Sequence, residues 1–339
     1  MSKNGRTNDL KDWMTNEEME ECCTVTFSKK NTSVDFYSNY TISPVLYQYD
    51  NLINSTLQRV SQDGYSSTWA GGLLITEYEI IQAFNYGYLF VMSKDKVSDN
   101  PYTKSLKCVK LASSSADNHV NNLALISSDY TNNNVTFMTS ECNGQKRCFI
   151  EYRDPTTNYS NLLQTISYSG SKFNTSWDWD WTYDRATEKL YAIGYSGIKK
   201  WPTYVTSTDS DVKIEVLEFN MPSTINTVVT LTDSDILNQY TFSGVGRERQ
   251  DVDIVNGVMY YLYSDKSENS TAITTGTSVD GKVVICDLAT QTELATVDLT
   301  TLRLEPEGCC LFNGELYVSL HQYGNNTGDL SIYKVTFGT

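Results

Sequence analysis

The sequence is short of the residues and motifs that most often carry chemistry. It has 2 histidines, His119 and His321, in 339 residues. No Gly-x-Ser-x-Gly turn occurs, so nothing points to a serine hydrolase. There is no phosphate-binding loop and no dinucleotide fingerprint. The 8 cysteines form neither Cys-x-x-Cys nor histidine-spaced pairs, so zinc is not indicated and no cofactor or metal ligand is assigned. No run of ~18 apolar residues exists, so no helix is expected to span a membrane. The first residues, Met1 to Asn8, are polar and lack the apolar segment of a secretory signal, which implies synthesis without one. Positive charge is scarce. With 26 Lys and Arg against 41 Asp and Glu the net charge is −15, a surface that repels phosphate backbones and anionic lipid and so excludes nucleic acid as an expected partner.

Strand and turn formers are what the chain has instead. There are 24 Tyr with abundant Thr, Val, Asn, Asp, Ser and Gly, and almost no long amphipathic helix pattern. That composition indicates an all-β protein. Residues 305–317 run from a charged cluster through Gly308–Phe312, turn at Asn313-Gly314, and resume at Leu316. Asn-Gly between two apolar runs is a strong hairpin signal. The motif returns at Asn256-Gly257, and strand–turn–strand units recur near residues 183–192 and 81–90. The second strands of these units centre on Leu89, Phe137, Tyr191, Tyr260 and Tyr317, a period of roughly 50–70 that suits four-stranded propeller blades. The expected architecture is a five-bladed β-propeller over 24–339, closed by strands from 24–60, where one of Thr24–Phe27, Val34–Tyr37 and Val45–Tyr49 supplies the outer strand of the last blade. A sixth, degenerate blade from 24–76 is the alternative. Residues 1–23 read as a short N-terminal helical arm, either a plug or a docking segment.

In a propeller the first strand of each blade lines the axis. The residues placed at the starts of those strands are polar: Gln82; His119 and Asn121; Asp178 and Asp180; Gln250 and Asp251; Glu305 and Glu307. One reading is the lining of a solvated channel. The other is an acid-rich mouth that binds a sugar or a hard cation, since carboxylates suit both. Trp177, Trp179 and Trp181 beside Asp178 and Asp180 offer flat apolar faces, or else pack between blades. A glycosidase would need two carboxylates facing across a cleft, here Asp178 or Asp180 with Glu305 or Glu307. Cys142 and Cys148 flank a candidate hairpin tip and either bridge it or stay reduced with the rest. Of the adjacent pair Cys309 and Cys310, strand alternation predicts that one is buried.

The combination of His119-Val120-Asn121-Asn122, the Gln250-Asp251 strand and Glu305-Pro306-Glu307-Gly308 resembles the five-bladed propeller of bacteriophage receptor-binding and tail-appendage proteins and of helveticin J-like bacteriocins. The resemblance covers residues 80–339, with Val120 where that family tends to have Ala. It implies an adhesin exposed on the virion, made in the host cytoplasm, that binds a host surface glycan without chemistry. The ligand-binding set would be Glu307, Glu305, Asp251, Gln250, His119, Asn121, Asp180 and Asp178. Other virion proteins would be partners, with the arm as a possible contact. The alternatives are a glycoside hydrolase acting on a surface polysaccharide and a purely structural docking protein.

Overall fold

The computed structural model describes residues 34–46, 61–64, 69–94, 107–115, 118–129, 134–141, 146–153, 157–172, 179–196, 213–223, 227–243, 248–265, 280–302 and 304–338. The arm at 1–23, Asp178, Trp177 and Cys142 lie outside them.

Five sheets, antiparallel apart from one added strand, surround one axis, as the repeat predicts. A short helix, α1 (Val34–Ser38), precedes β1 (Tyr40–Leu46). Blade 1 is β2 (Ala70–Ile75), β3 (Glu79–Phe84), β4 (Tyr88–Ser93) and β5 (Lys107–Lys110). Blade 2 is β6 (Leu123–Asp129), β7 (Asn134–Glu141), β8 (Arg147–Arg153) and β9 (Ser160–Tyr168). Blade 3 begins with β10 (Asp180–Asp184), β11 (Lys189–Ser196) and β12 (Lys213–Asn220). The chain then reaches back to lay β13 (Val228–Leu231) parallel to β9, giving blade 2 a fifth strand, before β14 (Asn238–Ser243) completes blade 3. Blade 4 is β15 (Glu248–Val255), β16 (Val258–Asp265), β17 (Asp280–Asp287) and β18 (Thr292–Asp298). Blade 5 is β19 (Glu305–Phe312), β20 (Glu315–His321) and β21 (Leu330–Phe337), and its outer strand is β1, paired antiparallel with β21. Pairing the outer strand of the last blade from earlier in the chain covers an edge that would otherwise be exposed.

Each blade is buried on both faces, so apolar side chains gather between blades. Trp179, Trp181, Leu190 and Phe219 of blade 3 pack on Met138, Ile150 and Tyr168 of blade 2. Tyr191, Ile193 and Val216 meet Ile254, Met259 and Tyr261 across the next interface. Tyr260, Val283 and Ile285 meet Cys309, Leu316 and Val318 across the one after. The cluster around blade 1 joins it to blade 2 through Val120, Leu123 and Phe137, and to blade 5 through Cys310, Tyr317 and Ile332. The Asn256-Gly257 and Asn313-Gly314 turns carry φ of 54° and 73°, and 51° and 79°. Positive φ at both central residues is what a two-residue hairpin turn of primed type requires, and Asn and Gly tolerate it best.

Four expectations are corrected. The inner strand of blade 1 is β2, so Gln82 lies on the second strand, where its amide donates to the Gly71 carbonyl at 2.7 Å. Val34–Tyr37 forms α1, not a strand; Tyr37 packs edge-on against Phe337 and shares a hydroxyl–hydroxyl hydrogen bond of 3.0 Å with Tyr260. The strand that joins blade 5 is Tyr40–Leu46, which overlaps the third candidate at 45–46; Thr24–Phe27 and residues 47–49 lie outside the described residues. Cys309 and Cys310 are both buried, at 1% and 6% exposure, because alternation sends one into the blade 4 interface and the other into the blade 1 interface. Cys148 is a buried free thiol.

Candidate axial binding site

Every blade starts at the axis, and the inner strands all run the same way. Their starts therefore collect at one end. Three of them are irregular there: the ladder register shifts between Ala70 and Leu73, Arg249 and Asp251, and Pro306 and Gly308, while β6 shifts further along, between Leu125 and Ser127. Such bulges re-aim side chains at the rim of a barrel. In β15 and β19 the extra residues are Gln250 and Glu307.

Below this rim Asp251 closes the axis. One carboxylate oxygen accepts the Asn122 amide of blade 2 at 2.7 Å and the Val252 N–H at 2.7 Å. The other accepts the Cys309 N–H of blade 5 at 2.7 Å and the Leu73 N–H of blade 1 at 3.5 Å. One side chain thus ties four blades. The inner edge of β19 presents N–H groups that its own sheet cannot pair. Asp251 takes that of Cys309, and Asp253, on the same face of β15, takes that of Leu311 at 2.7 Å. The backbones approach closely: a Cβ on Gly308 would stand 2.6 Å from the Leu73 nitrogen, and one on Gly72 would stand 2.6 Å from the Leu123 nitrogen. Burial pushes the Asp251 carboxyl well above its usual range; the Cys309 N–H pulls it back and Asp180 pushes it further up. Burial likewise raises Asp253, to about 7, against the pull of the Leu311 N–H.

The remaining sequence-designated residues fall into two levels. Asp180 is fully buried. It accepts Ser140 Oγ at 2.9 Å and pairs with the buried Arg249 guanidinium. Nearer the rim, Gln250 donates to Glu305 Oε1 at 3.2 Å, and Glu307 Oε1 lies 4.0 Å from His321 Nδ1. Gln250, Glu307, His119 and Asn121 are half-buried, while Glu305 is buried. The His119 ring lies 6.1 Å from that of Trp69, tilted by 34°. Val120 sits between His119 and Asn121 at φ 47°, a left-handed conformation that is strained for a β-branched residue. Its N–H is held by Asn118 Oδ1 at 3.0 Å and its carbonyl accepts the Gly72 N–H at 3.0 Å. Trp179 and Trp181 are buried between blades 2 and 3 and offer no face to the mouth.

The arrangement is a shallow polar rim over a hydrogen-bonded plug. Asp251, Asp180 and Asn122 belong to the plug, while Gln250, Glu307, His119 and Asn121 reach the rim. Arg249, Asn122 and Trp69 were not among the residues assigned to the site from sequence. Arg249 adjoins Gln250 and Asn122 follows Asn121, so their strand positions were legible, but their partners are 69 and 129 residues away. Trp69 carried no signal because β2 itself was not recognised.

The fold is therefore that of a five-bladed β-propeller with a closed axis. The sequence matches no protein-family profile and no curated protein. Among solved structures, the tail fiber of a Staphylococcus aureus phage aligns over 87% of this chain with a TM-score of 0.51 at 10% identity. The chain covers 52% of that tail fiber, about half its length. A family GH43 β-1,3-galactosidase aligns over 78% of this chain and 88% of its own with a TM-score of 0.40 at 10% identity, too low to carry an argument.

Proposed function

We propose that this chain is a virion adhesin, of a tail or capsid decoration, that binds a host cell-surface glycan at the axial rim without cleaving it. The observation that carries the choice of binding over hydrolysis is the plug. The axial acids Asp251 and Asp180 are wholly buried and engaged by Asn122, Ser140, Arg249 and backbone N–H groups. A glycosidase needs two carboxylates that reach the scissile bond from either side; of the acids offered for that pair, Asp180 and Glu305 are buried, so among the described residues Glu307 alone reaches the rim. Glu307 and Gln250, the extra residues at two bulges, lie half-buried at the rim, where they would bind sugar hydroxyls through charge-assisted and amide hydrogen bonds. The fold likeness to a phage tail fiber supports the virion setting.

The test is adsorption of the purified chain to isolated bacterial envelopes, with glycan-stripped envelopes as control. Glu307→Ala should lower adsorption at least ~10-fold, the loss of one charge-assisted contact, and move Tm by less than ~2 °C. Unchanged adsorption would remove the rim as the binding site. A collapse in stability would make Glu307 part of the structural network instead. Release of reducing sugar from the envelopes would favour the hydrolase.

A further inference from the structure

We propose that Trp69 is the stacking platform of the axial rim and selects a neutral pyranose ring; this deepens the glycan-binding reading above and rests on it. Among the described residues the tryptophans are treated differently. Trp179 and Trp181 are 1% and 0% exposed, whereas Trp69 is 48% exposed. It is nonetheless held firmly. Its backbone N–H donates to Asn85 Oδ1 at 2.9 Å and its backbone carbonyl accepts the Asn85 N–H at 3.0 Å. Asn85 is itself buried, at 2% exposure, in the turn that precedes β4. A half-exposed aromatic ring on a backbone clamped from both sides is suited to a ligand, because little loop ordering remains to oppose binding.

Its position links it to the rest of the rim. Trp69 immediately precedes β2. The Gly71 carbonyl of β2 lies 2.8 Å from where a Cβ on Gly308 would stand, and Gly308 follows Glu307. Trp69 and Glu307 thus stand at the starts of adjacent inner strands. On its other side Trp69 meets the His119 ring. A pyranose ring has a face of C–H groups and a rim of hydroxyls. The indole suits the first, and Glu307, Gln250 and Asn121 suit the second. Charge selects against a phosphate-rich polymer, since the chain carries a net −15 and the rim contributes Glu307, with Glu305 buried beside it.

Binding would be followed with immobilised neutral hexose and N-acetylhexosamine oligosaccharides, and with poly(glycerol phosphate) for comparison. The wild-type chain should bind a neutral oligosaccharide and not the polyphosphate. Trp69→Ala should weaken that binding by roughly tenfold or more, as for an aromatic anchor. Trp69→Phe should recover most of it, and both variants should melt within ~2 °C of wild type. In the wild type, saturating oligosaccharide should shield part of the tryptophan emission from acrylamide, and that shielding should vanish in Trp69→Phe; this readout does not depend on the alanine variant folding. If Trp69→Ala binds like wild type while Glu307→Ala does not, the platform is refuted and the glycan reading stands. If the polyphosphate binds best, the ligand class is wrong. If no saccharide binds, both readings fall.

Discussion

Replacing Asp251 with asparagine is the sharpest test of the closed axis. The substitution preserves shape but leaves one acceptor oxygen where the carboxylate has two. Each oxygen now serves two donors: Asn122 and Val252 on one side, Cys309 and Leu73 on the other. Turned toward Asn122 and Val252, the new NH2 finds no acceptor and strands the Val252 N–H, although the Asn122 amide keeps the Val252 carbonyl; turned the other way it strands the Cys309 and Leu73 N–H groups, in a site with 0% exposure. Each buried donor left without a partner costs ~1–3 kcal/mol, so two cost ~2–6 kcal/mol. Removing a charge whose ionisation is opposed by burial gives some of this back. A net loss of ~2–4 kcal/mol results. With an unfolding entropy of ~2.1 cal/mol/K per residue over 339 residues, each 1 kcal/mol lowers Tm by ~1.4 °C. Asp251→Asn should therefore melt ~3–6 °C below wild type by scanning calorimetry. Amide exchange at Leu73 and Cys309 should accelerate, and the loss should couple to Asn122→Ala by ~0.5 kcal/mol or more in a double-mutant cycle. An Asp251→Asn protein that melts within 1 °C of wild type would refute the claim that this side chain ties the blades.

Gly308→Ala and Gly314→Ala separate crowding from conformation. The first puts a Cβ 2.6 Å from backbone and should cost ~3 kcal/mol or more, whereas the second meets nothing within 4 Å but sits at φ 79° and should cost ~1 kcal/mol; denaturant melts of the two variants check the order. Asp253 has its carboxyl raised from 3.8 to about 7, so the folded state holds this proton more tightly than the unfolded chain. Its contribution to stability is complete below pH ~4 and is lost as pH rises through ~7, by at most ~4 kcal/mol; Asp253→Asn should flatten the Tm profile over that window, and an unchanged slope would sink the assignment. Asp233 runs the other way: hydrogen bonds from Ser171 and Tyr168 lower it to about 2, so what it adds is present above pH ~4 and is lost as pH falls toward 2. Asp233→Asn should therefore remove part of the acid sensitivity of the unfolding transition.

Much of the ring was legible because hairpins announce themselves locally. Asn256-Gly257 and Asn313-Gly314 sit between apolar runs, and the second strands around Leu89, Phe137, Tyr191, Tyr260 and Tyr317 repeat at near-even spacing. Inner strands are harder to read. All six residues of β2 are buried, so Ala70–Ile75 shows no alternation to separate it from any other short apolar run. The same two-sided burial defeated the reading of Cys309 and Cys310. The polar starts of the inner strands were visible as residue types, but their roles were not. Which acid is plug and which is rim depends on bulges at Gln250 and Glu307 and on partners from other blades. Neither leaves a mark in local sequence. Trp69 was invisible for the same reason as β2.

The adjacent thiols of β19 have a kinetic consequence. Burial raises both far above the ordinary thiol range, so neither reacts until its surroundings open. Cys309 Sγ lies 3.6 Å from the Tyr260 carbonyl in blade 4, and Cys310 Sγ lies 3.4 Å from the Ile75 nitrogen in blade 1. Two neighbouring residues thus report on two different seams. Pulsed alkylation during unfolding, read by mass spectrometry, gives a separate clock for each. Equal rates mean that blade 5 parts from both neighbours in one event. Faster modification of Cys310 means that the ring splits between blades 5 and 1 and unrolls from there.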